Sequence, residues 1–246
     1  SKLEAFKPAI QRLLATHETA RLDRVASLAS YLPEVRRMTR PPLPHETGPR
    51  RELVLGFDIG STGSKVVALD RRSRDLVWES YINTNGDPVG AAQALLAKLT
   101  ASPAQGHAIV AFGATGSGRE IVGSLLVNCY GVERVYVLNE IAAHAEGALF
   151  YDGSVDTIFE IGGQDAKYIR LSEGRVVDAA MNEACSAGTG SFIEEQGKKF
   201  SGIESVVQLG EEALRAESGV SLGQHCSVFM AEIIDEAVAA GVETRS

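Results

Sequence analysis

Two stretches decide the predicted fold of this chain: FDIGSTGSK at residues 57–65 and FEIGGQDAK at residues 159–167. In each, a glycine-rich turn joins two short apolar strands, as in a β-hairpin. A third strand and helical segments follow each hairpin, so the same arrangement begins near residue 53 and again near residue 155. The repeat predicts two related α/β lobes with a nucleotide between them, rather than one continuous sheet.

The first turn has the composition of a polyphosphate site. Its glycines allow backbone amides to approach an anion without obstruction by Cβ, and its hydroxyl groups add further donors. The Asp58 carboxylate, at the end of the first strand, could hold Mg²⁺ through the water shell of the ion. The predicted phosphate ligands are Gly60, Ser61, Thr62, Gly63, Ser64 and Lys65.

The second turn supplies Gly162 and Gly163 as further phosphate ligands. Gln164 and Asp165 follow them and are placed to orient a water molecule or the metal, because phosphoryl transfer depends on positioning more than on covalent chemistry. Taken singly, each turn is equally well explained as an ordinary hairpin turn, since Gly and Asp are common turn residues. The pair is much more specific, because two such turns facing each other would clamp the phosphates of one nucleotide.

Composition excludes several classes of function. The chain has 246 residues and a formal net charge of −8, so it lacks the clustered basic residues that bind nucleic acid. No apolar run has the length of a membrane span or the form of a signal peptide, which predicts a cytoplasmic protein with no membrane partner. The three cysteines are too few and too widely spaced for a disulfide framework, and we interpret them as reduced thiols or metal ligands.

The predicted organisation has three parts. Residues 1–50 form a helical leader that ends in a proline-rich linker, residues 51–150 form the first lobe, and residues 151–246 form the second. The stretch GATGSGRE at residues 113–120 has the glycine spacing of a P-loop. Arg119 and Glu120, however, occupy the positions that need Lys and Ser or Thr, so we interpret this stretch as a strand-to-helix loop.

Two cysteines lie just before predicted helices: Cys185 in NEACSAGTGSF and Cys226 in CSVFMAEII. Exposed amides and the helix dipole stabilise a thiolate there, which a cluster ligand requires. The alternative for each is a buried structural cysteine, since free Cys often packs as a small hydrophobic residue. Cys129, in LLVNCYG, is expected to pack in the first lobe.

Both phosphate turns and both cysteine segments resemble those of the activator ATPases of 2-hydroxyacyl-CoA dehydratases and the related ATPase subunits of benzoyl-CoA reductase. The resemblance covers about residues 53–246. It implies the ribonuclease H-like α/β fold of the actin, sugar-kinase and heat-shock-chaperone superfamily, with ATP or ADP and Mg²⁺ as ligands. Glu140, which opens the helix EIAAHAEGA, matches the segment between the lobes where the superfamily often places a water-orienting side chain. An acid at a helix start has an equally good structural explanation.

The same resemblance implies an electron-transfer role. In that family a homodimer shares one 4Fe-4S cluster with two cysteine ligands from each subunit, and ATP hydrolysis drives an electron to a partner iron-sulfur enzyme. Cys185 and Cys226 match the ligand positions. The implied partners are a second copy of the chain and an acyl-CoA dehydratase or reductase-type iron-sulfur protein.

The resemblance also leaves alternatives. The later glycine-rich turn that packs on adenosine is expected to be missing, so the second lobe is predicted to be incomplete. Relatives in the same superfamily include amino-sugar kinases, which makes a small-molecule kinase the first alternative function. A non-catalytic regulatory module with a degenerate nucleotide site is the second. The cysteine pair separates the activator from the kinase.

Overall fold

A computed structural model describes residues 23–43, 49–182 and 188–242. These residues fall into two compact units: Arg37–Ser191 is one, and the described residues up to Arg36 join those from Phe192 onward in the other. The predicted lobe boundaries at residues 50 and 150 stay a prediction. In the part of the chain that the structure describes, no helix is long and apolar enough to cross a membrane.

The regular elements include two runs of three consecutive strands, each followed by helices. In chain order, the strands are β1 (Arg24–Ala26), β2 (Glu52–Ile59), β3 (Gly63–Asp70), β4 (Leu76–Asn83), β5 (Ala108–Thr115), β6 (Val135–Val137), β7 (Thr157–Ile161), β8 (Ala166–Ser172), β9 (Arg175–Asn182) and β10 (Ser218–Val220). The helices are α1 (Pro88–Thr100), α2 (Arg119–Tyr130), α3 (Glu140–Tyr151), α4 (Gly190–Gly197), α5 (Val206–Arg215) and α6 (Ser227–Ala239). Short 3₁₀ helices span Leu28–Glu34, Pro103–Gly106 and Val132–Arg134.

The larger sheet has five strands in the order β4-β3-β2-β5-β6. Strand β2 is antiparallel to β3, and β3 is antiparallel to β4, whereas β2, β5 and β6 run parallel. The parallel strands therefore end at the same edge of the sheet, where ligand sites of open α/β sheets occur. Asp58 and Thr115 are neighbours at that edge, and Glu140 lies three residues after Val137, the last residue of β6.

Strand β2 carries the centre of the core. Its alternate side chains Leu53, Leu55, Phe57 and Ile59 are buried, as the alternating sequence predicts. Helices α1 and α2 cover the sheet with buried side chains such as Leu95 and Val122. Helix α1 begins where expected because the Asp87 side chain accepts a hydrogen bond from the Gly90 amide at 2.8 Å, with Pro88 in the first turn.

The second sheet repeats the first hairpin. Strands β7, β8 and β9 form a three-stranded antiparallel sheet in that order, which confirms the predicted hairpin with a third strand. Ile169 and Leu171 from β8 pack with Ala145 from α3 in a small separate core. The turn at Glu173 and Gly174 has the positive φ angles of 51° and 72° that such a tight connection needs.

The predicted helical leader is only partly described, and the described part differs from the prediction. Residues 1–22 lie outside the described residues. Arg24–Ala26 is a strand paired antiparallel with β10, and Leu28–Glu34 is a 3₁₀ helix that contains Pro33. A proline inside the segment lacks the amide that a continuing α-helix would use. The helical segments predicted to follow the second hairpin are present as α4, α5 and α6.

Candidate active site

The first glycine turn joins β2 to β3 and is very tight. The Gly60 amide donates to the Gly63 carbonyl at 3.0 Å, and a Cβ on Gly60 would lie only 2.7 Å from that carbonyl oxygen. A side chain at this position would therefore force the turn open. Ser61 and Thr62, at the tip, are exposed. The turn thus presents the hydroxyl groups of Ser61 and Thr62 at the carboxyl end of β2.

Asp58 and Lys65 face each other across this hairpin. They are cross-strand partners in the β2–β3 register, and Lys65 Nζ lies 3.3 Å from Asp58 Oδ2. Both side chains are well exposed, at 58% for Lys65 and 38% for Asp58. Ion pairs in this setting are weak because water screens them, so both groups remain accessible to a ligand.

Ser64 occupies a different environment from the other residues of the turn. Its side chain is fully buried, and its Oγ lies 2.7 Å from Thr84 Oγ1. Thr84 in turn donates its hydroxyl hydrogen to the Gly60 carbonyl at 2.7 Å, so Ser64 is the donor to Thr84. The Ser64 hydroxyl is therefore directed into the protein and supports the turn, whereas the sequence predicted it as a phosphate donor.

Thr84 supports the first turn, and it was not among the predicted site residues. Besides its hydroxyl contact with Gly60, its backbone amide donates to the Thr62 carbonyl at 2.9 Å. It follows β4 and is 4% exposed. Two hydrogen bonds from one buried residue therefore hold the carbonyls of Gly60 and Thr62 and fix the shape of the turn.

The P-loop-like stretch also lies against the first turn. As predicted, it is the loop from β5 to α2, and the Gly118 amide donates to the Ile59 carbonyl at 2.8 Å. Gly116 has a φ of 88°, and a Cβ there would lie 2.6 Å from the Ile59 carbonyl carbon. The glycines of this loop are explained by close backbone contact with β2.

The second glycine turn joins β7 to β8 and supports the start of α4. The Gly162 amide donates to the Asp165 carbonyl at 2.9 Å, which closes the turn. The Gly162 and Gly163 carbonyls accept hydrogen bonds from the Gly190 and Ser191 amides at 2.9 and 3.0 Å. Gln164 is exposed at the tip. The carbonyls of this turn therefore face α4, while the exposed Gln164 side chain stays available.

The two glycine turns meet at Thr62 and Gly163. A Cβ on Gly163 would overlap the Thr62 hydroxyl oxygen and would lie 2.9 Å from Thr62 Cβ. Such distances leave no room for any side chain on Gly163. The turns that the repeat identified are therefore close neighbours in the folded chain, and both belong to the unit Arg37–Ser191.

A buried lysine gathers three acids beside the second turn. Lys167 Nζ lies 2.7 Å from Asp165 Oδ1, 2.9 Å from Glu160 Oε2 and 3.0 Å from Glu140 Oε2. The Lys167 side chain is only 5% exposed. We call these four residues the lysine cluster. Two predicted catalytic residues, Glu140 and Asp165, are thus brought together, although they are far apart in the sequence.

The charge of Lys167 is strongly favoured in this setting. Burial lowers the pKa of Lys167, but the hydrogen bonds to Asp165, Glu160 and Glu140, with the attraction of Glu160, outweigh burial and raise that pKa above its ordinary value. His144 Nε2 lies 3.9 Å from Glu160 Oε2 at the border of the cluster. The three carboxylates therefore share one permanent cation.

Glu140 reaches the cluster because of its place at the start of α3. The Asn139 side chain caps this helix by accepting hydrogen bonds from the Ile141 and Ala142 amides at 2.8 and 3.2 Å. Among the described residues, the ion pairs place Glu140 with Lys167 and Asp58 with Lys65, so the two acids belong to different groups.

Glu160 and Lys167 were not predicted as site residues, although the repeat contains a pattern that identifies them. Aligning the two stretches sets Glu160 against Asp58 and Lys167 against Lys65. Both pairs are cross-strand partners in their hairpins, and both form ion pairs. The pairs differ in burial, because Lys167 is covered and Lys65 is exposed.

The three cysteines differ in how their positions compare with the predictions. Cys185 lies outside the described residues. Cys226 is half-buried at the residue that caps α6, where a negative charge would face the amides of the first helical turn. Cys129 is exposed, so the expectation that it packs in the first lobe is wrong. It lies in the last turn of α2, where Asn128 and Tyr130 are exposed as well.

Known proteins with similar sequences are activators of acyl-CoA dehydratases. The 2-hydroxyisocaproyl-CoA dehydratase activator of Clostridioides difficile is 32% identical over 204 residues, which cover 77% of this chain and 71% of the relative. The (R)-2-hydroxyglutaryl-CoA dehydratase activating ATPase of Acidaminococcus fermentans is 28% identical over 183 residues, covering 74% and 66%. The chain thus spans about two thirds of the length of these relatives.

Solved structures agree with this similarity. The crystal structure of component A of the A. fermentans (R)-2-hydroxyglutaryl-CoA dehydratase has a TM-score of 0.66 at 26% identity, over 78% of this chain and 70% of that one. The activator of the 2-hydroxyisocaproyl-CoA dehydratase from Clostridium difficile, solved with bound ADPNP, has a TM-score of 0.63 at 31% identity, over 78% and 68%. The predicted actin-like α/β fold is therefore confirmed.

The family model covers most of the chain. It matches residues 55–245, which include both glycine turns, the lysine cluster and Cys226. Together with the relatives of similar sequence and fold, this match confirms the resemblance found in the sequence. The chain belongs to the BadF/BadG/BcrA/BcrD ATPase family.

Proposed function

We propose that this protein hydrolyses ATP at the two glycine turns and uses the hydrolysis to drive a low-potential electron to an acyl-CoA dehydratase or reductase-type iron-sulfur protein. The observation that carries the proposal is the contact of the two turns at Thr62 and Gly163, with acids beside both. Phosphoryl transfer needs donors for the phosphates and acids that position a metal ion and a water molecule. This arrangement supplies both.

Each predicted residue has a role in this proposal. The turn residues Gly60–Ser64 and Gly162–Gly163 would surround the phosphates, with the exposed Ser61, Thr62 and Lys65 adding side-chain contacts. The Gly60 and Gly162 amides close their own turns and so would shape the site rather than donate to the phosphates. Asp58 would hold Mg²⁺ through its water shell, because its carboxylate is accessible at the end of β2. Glu140, Gln164 and Asp165 would orient the attacking water.

The electron-transfer half rests on the cysteines and on the relatives. The curated relatives are named as dehydratase activators, and Cys226 places a reduced thiol at a helix N-terminus. A thiolate there gains from the helix dipole, which suits a cluster ligand. Cys185 and Cys226 of two copies would hold one 4Fe-4S cluster, since a cubane takes four thiolates. When bound, the cluster supplies a one-electron donor of low potential.

The ATPase half is tested by phosphate release with Mg²⁺ and ATP. We expect turnover by the natural protein and at least a roughly 100-fold lower kcat for Asp58→Asn, because the variant loses the charge that holds the metal. Asp178→Asn is the matched control, since this carboxylate is exposed on β9. Absence of turnover in the natural protein would contradict the proposal, and turnover only when an amino sugar is added would indicate a kinase.

The cluster is tested by anaerobic reconstitution with iron and sulfide. We expect about two iron atoms per chain, because two chains share one four-iron cluster. Cys226→Ser should lose the visible absorption of the cluster. Cys129→Ser removes an exposed thiol that has no proposed role and should keep it. A cluster that survives in Cys226→Ser would exclude this ligand assignment.

A further inference from the structure

We propose that Lys167 is the positioning residue of the active site: it holds Glu140 and Asp165 in place for the attacking water. The inference rests on the proposed ATPase function and adds a residue to it. Lys167 contacts carboxylates from three elements, namely the start of α3, strand β7 and the second glycine turn. An ammonium group has three N–H donors, and three acceptors at 2.7 to 3.0 Å use all of them.

The comparison with Lys65 shows why this lysine is not a general phosphate ligand. Lys65 is exposed, and among the described residues its ion pair is with Asp58, at 3.3 Å, so it can turn towards an incoming anion. Lys167 has the corresponding place in the repeat, but its side chain is covered and fully engaged. Releasing it to bind a phosphate would leave three carboxylates without their cation.

The arrangement of the three carboxylates in the lysine cluster depends on the positive charge of Lys167. Glu140 approaches from α3, Glu160 from β7 and Asp165 from the turn, and all three lie within 3.0 Å of one nitrogen. His144, also on α3, adds a fourth titratable group 3.9 Å from Glu160. Without the cation, repulsion between the carboxylates would favour their protonation. Protonated or displaced acids cannot accept a proton from the attacking water.

Lys167 touches the acids and not the reacting atoms, so its removal should act on kcat. We expect Lys167→Met to lower kcat by about 100-fold, the scale of a misplaced catalytic group, with KM for ATP changed less than about threefold. The acidic limb of the kcat–pH profile should move to higher pH, because the repulsion between the three carboxylates is no longer offset by a cation. Lys167→Arg keeps the charge and should restore most of kcat and the original profile.

Two comparisons make the test decisive. Lys98→Met, a solvent-exposed lysine of α1, should leave kcat and the pH profile unchanged. Should Lys167→Met fail to fold by circular dichroism, Lys167→Met/Glu160→Gln removes the charged pair together and is compared with Glu160→Gln alone. The double variant should be at least about tenfold slower, on the same scale of misplacement.

The outcomes separate this inference from the proposed function. If the natural protein hydrolyses ATP and Lys167→Met keeps its kcat and pH profile, the positioning role is wrong while the ATPase proposal stands. Equal kcat values for the double variant and Glu160→Gln would overturn it as well. A natural protein without turnover overturns the ATPase proposal and this role with it.

Discussion

Gly163 is the residue at which the two glycine turns are closest. Any Cβ at this position overlaps the Thr62 side chain, so Gly163→Ala must push the turns apart. Because a displacement of about 1 Å can cost 100-fold in rate, we expect at least a tenfold loss of ATP turnover. Phosphate-release kinetics measure this loss.

Gly147→Ala is the matched control for that substitution. Gly147 lies inside α3, and a Cβ there would meet nothing within 4 Å. Alanine favours a helix over glycine by about 0.5–1 kcal/mol, so this variant should be slightly more stable with unchanged turnover. Wild-type turnover in Gly163→Ala would show that the turns tolerate separation.

The residues of the site were predicted unevenly, for a physical reason. Gly60, Gly162 and Asp58 follow from local sequence, because turn geometry depends on neighbouring residues. The role of Lys167 depends on which face of β8 meets α3, and a contact between elements is not encoded in either segment alone. Ser64 was misread for the same reason, since its partner Thr84 is 20 residues away.

At the scale of elements, the β3–β4 hairpin depends on one ionised side chain. Asp70 Oδ1 accepts hydrogen bonds from the Arg72 and Ser73 amides at 2.8 and 3.1 Å, and Arg51 lies 3.5 Å from its other oxygen. The amide hydrogen bonds of Ser73 and Arg72 lower the pKa of Asp70 below its ordinary value, with help from Arg51 against the opposing effect of burial. The ionised form is therefore the one that the folded hairpin stabilises.

This lowered pKa gives the hairpin a defined pH dependence. A carboxyl group with a depressed folded-state pKa contributes stability above its unfolded pKa and loses it as the pH falls through the folded pKa. We expect Asp70→Asn to lower the free energy of unfolding by about 1 kcal/mol at pH 7, and by less below about pH 4. Urea denaturation at both pH values measures the difference, and a gap that widens in acid would contradict the assignment.

The elements themselves were predicted well where their patterns are local. The two hairpins, their third strands and the helical segments that follow lie close to the predicted positions. Strand β1 was missed because it has only three residues and pairs with Ser218–Val220 near the other end of the chain. The formation of so short a strand is set by its distant partner rather than by its own sequence.

At the scale of the whole molecule, the proposed function divides between two sets of residues. The glycine turns and the lysine cluster belong to Arg37–Ser191, whereas Cys226 belongs to the other unit. ATP can drive electron transfer only if it binds one state of the protein better than another. Substitutions in the second glycine turn and at Cys226 should therefore separate nucleotide turnover from cluster binding, because the proposed ligands of the nucleotide and of the cluster are different residues.

The second turn and Cys226 allow that separation to be tested with reciprocal variants. Gln164→Ala and Asp165→Asn should reduce ATP-dependent oxidation of the reduced cluster by a viologen dye at least about tenfold, because the attacking water is no longer oriented. Their cluster absorption should match that of the natural protein. Cys226→Ser should show the reverse, with no cluster and ATP turnover within about threefold of normal, since its thiol has no part in hydrolysis. Loss of cluster absorption in the turn variants would mean that the second turn also maintains the cluster, and the proposed division between nucleotide and cluster ligands would be wrong.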